Sequence, residues 1–194
     1  MFLAAAVQLS SSSNEAGCLA DAEALIARAA RSGAQLIVTP ENTNFLGPHT
    51  EKVRRAEPLD GPTASRFSSW ASKHQIHLLI GSFNEKSHDP ERCYNTSLLF
   101  GPDGSLLKHY RKIHLFDVDV SADVRFLESE TIIPGADIAV ARTALGTIGM
   151  SICYDLRFPE LYRKLVEAGA EIIAIPSAFT LTTGKDHWHT LIRA

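Results

Sequence analysis

Gln35-Leu36-Ile37-Val38-Thr39-Pro40 is a short apolar run, β-branched at its centre and stopped by proline, and it reads as a buried strand. Before it, Leu19, Ala22, Leu25-Ile26 and Ala29 recur at helical spacing, which predicts a helix over Ala16 to Ser32, closed by Gly33. Before that, Met1-Phe2-Leu3-Ala4-Ala5-Ala6-Val7-Gln8-Leu9 reads as a buried first strand, because no Lys or Arg precedes the apolar run as a signal peptide requires. Strand, helix and strand make one β-α-β unit, and a parallel pair follows from it.

The same pattern continues along the chain. A helix is expected over Thr63 to His74 and a strand over His77 to Phe83, after an irregular, charged excursion from Asn42 to Pro62 of the kind that often carries function. Asn95 to Phe100 and Ser105 to Tyr110 read as a hairpin around Gly101-Pro102-Asp103-Gly104. Lys112 to Gly135 shows no sustained period and reads as a long ordered connection. Strands at Asp137 to Ala141, Thr147 to Ile152 and Glu171 to Pro176 follow, with a helix over Pro159 to Ala168 and a last helical face in Asp186 to Ala194. This order argues for an α/β layered fold with a mixed sheet, in a single domain spanning 1-194.

Composition narrows the function classes. The 194 residues carry a net charge of −3, which provides no basic face for nucleic acid. Every apolar run is broken by charge before the roughly 20 residues needed to cross a bilayer, so no membrane role is expected. Cys18, Cys93 and Cys153 are odd in number and widely spaced, which suits neither a disulfide framework nor a zinc module and fits a reducing cytoplasm. The pairs His187/His189 and His109/His114 lack partners at metal-ligand spacing, so no metal is expected.

Three segments carry chemistry. Thr147-Ile148-Gly149-Met150-Ser151-Ile152 runs out into Cys153-Tyr154-Asp155-Leu156-Arg157 just before a helix at Pro159, a place where a helix amino terminus and Arg157 would favour a thiolate. The competing reading is a packed small hydrophobe. Glu41 lies just past another strand, where a solvated loop carboxylate is the plain alternative, and Lys112 follows a third, within a run that also reads as a solvated basic face. Together they form a complete set for opening a carbon–nitrogen bond: a nucleophile, a base, and a cation for the oxyanion.

Thr39-Pro40-Glu41-Asn42, Tyr110-Arg111-Lys112-Ile113-His114-Leu115-Phe116-Asp117 and Cys153-Tyr154-Asp155-Leu156-Arg157-Phe158-Pro159-Glu160-Leu161 resemble, in order, the three signature segments of the nitrilase superfamily of carbon–nitrogen hydrolases, and within it the Nit amidase branch. The resemblance implies an α-β-β-α sandwich with two mixed sheets. It implies a triad of Glu41, Lys112 and Cys153, with Glu128 as a second carboxylate in preference to Glu130, and an oxyanion site of Lys112 and the Tyr154 backbone N–H. Pro176 to Gly184 is similar to the loop on the acyl side of the pocket, which makes Phe179 and Thr183 substrate-binding candidates. Arg157 is a third, for a substrate carboxylate, against the alternative of a salt bridge to Asp155 or Glu160.

The implied reaction is hydrolysis of a small-molecule primary amide through a cysteine thioester, without cofactor, by a homodimer or higher homo-oligomer. The implied substrates are deaminated glutathione or an ω-amide of a 2-oxo acid. Two other readings stay open: a non-catalytic remnant or interaction module, since the chain looks cut at its carboxy terminus, and an amide-forming acyltransferase.

Overall fold

The computed structural model describes residues 1–121 and 124–194, with the side chains of 119–121, 124, 182 and 183 outside the description. The chain runs β1 (Ala4–Ala6), α1 (Glu15–Arg31), β2 (Leu36–Val38), α2 (His49–Arg54), α3 (Pro62–His74), β3 (His77–Lys86), β4 (Cys93–Phe100) and β5 (Leu106–Arg111). It continues with β6 (Asp117–Ser121), β7 (Val124–Leu127), β8 (Ala139–Thr143), β9 (Gly146–Met150), α4 (Pro159–Glu167), β10 (Ile172–Ala174) and α5 (Leu181–Arg193).

The helix ends follow from local chemistry. Asn14 caps α1 by accepting the Gly17 N–H at 3.1 Å, Glu15 sits in the first turn, and Arg28 and Arg31 sit in the last. The α1 face formed by Leu19, Ala22 and Ile26 turns inward. Pro62 opens α3, which ends at Gln75 in the left-handed region, and Pro159 opens α4.

Two mixed sheets result. The first has the order β1-β2-β3-β4-β5, parallel through β3 and antiparallel beyond it; the second has the order β10-β9-β8, with β10 parallel and β8 antiparallel to β9. Strand alternation divides the apolar side chains between two cores. Ile37, Leu78, Ile80, Leu98 and Phe100 pack against α1 and α3 with Phe67 and Trp70. Leu36, Leu79 and Leu99 point the other way, onto Ala139, Ala141, Ile148 and Met150 of the second sheet. Each fully buried Leu, Ile or Phe contributes roughly 1.5–3 kcal/mol. Helix α4 covers the far side of the second sheet, where Leu165 lies over Gly149. The layers are therefore helix, sheet, sheet, helix.

Several expectations shift. The first strand is not buried: β1 is an edge strand, with Ala4 and Ala6 exposed. The excursion from Asn42 to Pro62 contains α2, and the connection from Lys112 to Gly135 contains the β6–β7 hairpin. Helix α5 begins five residues earlier than the apolar face suggested, because Phe179 packs edge-on against Trp188 and the Gly184 N–H bonds back to the Thr180 carbonyl. Among the described residues no helix is long and apolar enough to cross a membrane.

Candidate active site

Glu41 is delivered by the loop leaving β2. The Thr39 hydroxyl accepts the Gly81 N–H at 3.0 Å, and the Asn42 and Thr43 N–H groups donate to the Ser82 hydroxyl and carbonyl at 2.9 Å each. This loop lies directly on the bulge of β3, where a Cβ on residue 81 would stand 2.1 Å from the Thr39 carbonyl oxygen. Only glycine permits that approach. Lys112 leaves β5 with its N–H bonded to the Asn95 carbonyl, and its own carbonyl accepts from Gly135 at 2.8 Å.

Cys153 follows β9 on a sharp corner. It is a non-glycine residue at φ 49°, held there by its N–H to the Pro176 carbonyl at 2.9 Å, and it opens the 3₁₀ turn Cys153–Arg157. Tyr154 is the second residue of that turn, where a backbone N–H has no intrahelical acceptor and remains available to a ligand.

A buried carboxylate fastens this corner to the Lys112 segment. Asp155, fully inaccessible, accepts from the Ile152 N–H at 2.8 Å, the Tyr110 hydroxyl at 2.7 Å and the His114 N–H at 3.1 Å, and meets the His114 ring at 2.7 Å. Phe158 stacks on that ring at 3.8 Å.

The three strand ends converge on one charge network. Lys112 Nζ donates to Glu41 Oε1 at 2.9 Å and to both Glu128 oxygens, at 2.9 and 3.2 Å. The Cys153 thiol lies close enough to the Glu41 carboxylate for each to act on the other's ionisation. Asn95 Nδ2 bridges the two carboxylates, at 3.0 Å from Glu41 and 3.2 Å from Glu128. The Ala178 N–H holds Glu41 Oε2 at 3.0 Å, and the Phe116 N–H holds Glu128 Oε2 at 2.7 Å. Glu128 is placed by the return of the β6–β7 hairpin, whereas its rival Glu130 is exposed.

This arrangement sets the resting charges. Burial pushes the Cys153 thiol well above its ordinary value and the Glu41 carboxylate pushes further, while Lys112 opposes both, so the thiol is protonated. Burial also works to raise Glu41, but the Lys112 ammonium and the hydrogen bonds from Cys153 and Lys112 outweigh it and hold the carboxyl below 4.5. For Lys112, burial works downward and is overcome by Glu41 and Glu128, so the ammonium is held charged. A neutral thiol therefore faces an ionised base beside a fixed cation. That set can attack a carbonyl, move a proton and hold an oxyanion.

The network opens into a cavity of about 360 Å³, a size suited to a small molecule. Its wall includes Leu46, His49, Lys52, Phe116, Phe126 and Phe179. Phe179 thus lies where its segment suggested, and Tyr154 lines the cavity with its side chain as well. Thr183 falls in α5, and its side chain lies outside the described residues. Arg157 does not line this cavity. Its Nη2 meets the His187 ring at 2.8 Å and its guanidinium lies over Tyr154, so neither Asp155 nor Glu160 is its partner.

Sequence reasoning missed Asn95, Asp155 and Lys52. An asparagine in the apolar run Asn95 to Phe100 and a lysine in the Asn42 to Pro62 excursion were the available signals.

Comparison with known proteins identifies the family. The carbon–nitrogen hydrolase family matches residues 3–194. The chain is 41% identical to a deaminated glutathione amidase of Synechocystis, over all of this chain and 72% of that protein. It is 40% identical to an omega-amidase of Mus musculus, over all of this chain and 69% of that one. Of solved structures, the C. elegans NitFhit protein superposes with a TM-score of 0.90 at 35% identity, over 98% of this chain and 47% of that one. The chain belongs to the carbon–nitrogen hydrolase family, in the Nit amidase branch of the nitrilase superfamily.

Proposed function

We propose that this hydrolase releases ammonia from the primary amide of a small carboxylic acid, with Cys153 as nucleophile, Glu41 as general base and acid, and Lys112 with the Tyr154 N–H as the oxyanion site. Glu41 takes the thiol proton as Cys153 Sγ bonds to the amide carbon. Lys112 Nζ and the Tyr154 N–H hold the oxygen that becomes negative. The carbon–nitrogen bond then breaks as Glu41 passes its proton to the departing nitrogen, which leaves as ammonia, and a thioester remains. Water attacks the thioester, gives a proton to Glu41, and the carboxylic acid leaves as that proton returns to Sγ. Glu128 positions Lys112 throughout, since two oxygens of one carboxylate fix the ammonium.

The observation that carries this reading is the Glu41 carboxylate, which holds the Lys112 ammonium at 2.9 Å and lines the same cavity as Cys153. The similarity to a deaminated glutathione amidase and an omega-amidase supports the expected substrates, deaminated glutathione or an ω-amide of a 2-oxo acid. The three cysteines are unpaired and buried, which suits a reducing cytoplasm. Exposed Val166, Leu181 and Ile192 offer apolar surface that a second copy can cover in a homo-oligomer. The whole chain is read as one domain.

The test is ammonia release from deaminated glutathione, a 2-oxo-acid ω-amide and a nitrile. The expected result is turnover of an amide, poorest turnover of the nitrile, and loss of all turnover in Cys153→Ala. Unchanged turnover in that variant defeats the reading.

A further inference from the structure

Asn95 is a neutral side chain inside a network of charges, and it duplicates part of what Lys112 does. It lies in β4, where its own carbonyl accepts the Lys112 N–H at 2.9 Å and Asn84 faces it across the β3–β4 ladder, so its amide is carried on fixed backbone. It is 3% exposed. Its Nδ2 supplies one N–H to Glu41 Oε1 at 3.0 Å and one to Glu128 Oε1 at 3.2 Å. Among the described residues no donor reaches its Oδ1, so what this buried amide contributes is its two donors and not its acceptor.

Lys112 also has a fixed number of donors. Its three N–H groups are all engaged at rest, on Glu41 Oε1 at 2.9 Å and on the two oxygens of Glu128. Lys112 can hold an oxyanion only when one of these bonds is given up. The bond to Glu41 is the one that weakens, because Glu41 loses its charge on taking the thiol proton while Glu128 stays ionised. Glu41 would then lose a donor at the moment its aim matters most, between accepting the proton from sulfur and passing it to nitrogen. Asn95 fills that gap. With Lys112 turned away, Glu41 is still held on Oε1 by Asn95 and on Oε2 by the Ala178 N–H at 3.0 Å, two neutral donors fixed to β4 and to the loop after β10.

We infer that Asn95 is a positioning residue of the reaction, holding Glu41 Oε1 in place once Lys112 turns to the oxyanion. This rests on the hydrolase reading above and deepens it: the lysine alternates between the base and the oxyanion, and the asparagine keeps the base aimed while it does so.

Asn95→Leu, close in size and without donors, and Asn95→Ala separate this role from a merely structural one. Two rates are measured on the full chain at neutral pH. One is ammonia release from deaminated glutathione or 2-oxoglutaramate, whichever the parent protein turns over faster. The other is alkylation of Cys153 by iodoacetamide, followed on the peptide that carries it. Alkylation displaces iodide at a saturated carbon, so the thiol loses its proton, but no oxyanion forms and no proton is delivered to nitrogen.

In both variants kcat should fall about 100-fold with KM within about threefold, and alkylation should stay within about threefold of the parent rate. A kcat within about threefold of the parent value, or a loss that appears in KM alone, overturns the inference. Equal loss of turnover and alkylation in both variants overturns it too, by making Asn95 a structural residue only. A parent protein that releases no ammonia from either amide while Cys153 is alkylated defeats the hydrolase reading, and this inference with it.

Discussion

Glu41, Lys112 and Cys153 each lie within three residues of a strand end, and hydrogen bonds join Glu41 and Glu128 through Lys112. Lys52, His49, Phe116 and Phe126 line the same cavity but come from a six-residue helix and from the hairpin segment, and Lys52 has no ion-pair partner among the described residues. The floor is thus built from buried charges tied to one another, and the wall mainly from apolar side chains. The difference teaches where chemistry and selectivity divide: a change in the floor should alter turnover of every amide, and a change in the wall should alter which amide is turned over.

Lys112→Met should break the floor most severely. It leaves the buried Glu41 and Glu128 facing each other without a cation, which costs about 3–5 kcal/mol in urea denaturation, and it removes an oxyanion donor, which lowers kcat by about 10³-fold. A loss confined to one amide would erase the distinction between floor and wall.

The next largest effect is in pH. Glu41 is depressed on folding, so its contribution to stability is present above 4.5 and lost as pH falls through its folded value; Lys112 is raised, so its contribution is present below 10.5 and lost as pH rises beyond it. The acid limb of kcat/KM, which follows loss of the Glu41 base, should therefore lie below pH 4.5 for any amide substrate. A limb centred near neutrality would mean that another group supplies the base.

The smallest effect belongs to the wall. Phe126 is 40% exposed and touches Phe116 at 5.8 Å between ring centres. Phe126→Ala should change stability by less than about 1 kcal/mol, raise KM for the preferred amide by about threefold to tenfold, and leave kcat within about threefold. A fall in kcat as deep as that of Lys112→Met would sharpen the comparison in the opposite sense, by making the wall part of the chemistry.

The same division explains what the sequence made legible. Glu41, Lys112 and Cys153 sit beside short apolar runs whose period is plain, so the strand ends and the residues just past them could be read directly. Asn95 could not, because its role depends on the β4–β5 register that puts its carbonyl on the Lys112 N–H and its amide between two carboxylates. Asp155 serves the site through contacts that reach from its own corner to Tyr110 and His114 in the Lys112 segment. Lys52 sat in a charged excursion with no clear period, and its burial is a product of tertiary packing alone. Arg157 had the right chemistry for a carboxylate, but the packing of α5 brings His187 to it instead.

The most direct measurement is the mass of the protein and its peptides after rapid acid quench during turnover of an amide substrate. The account predicts a transient mass increase equal to the acyl group, confined to the peptide that carries Cys153. An adduct on Cys18 or Cys93, or steady ammonia release with no adduct on Cys153, would contradict it.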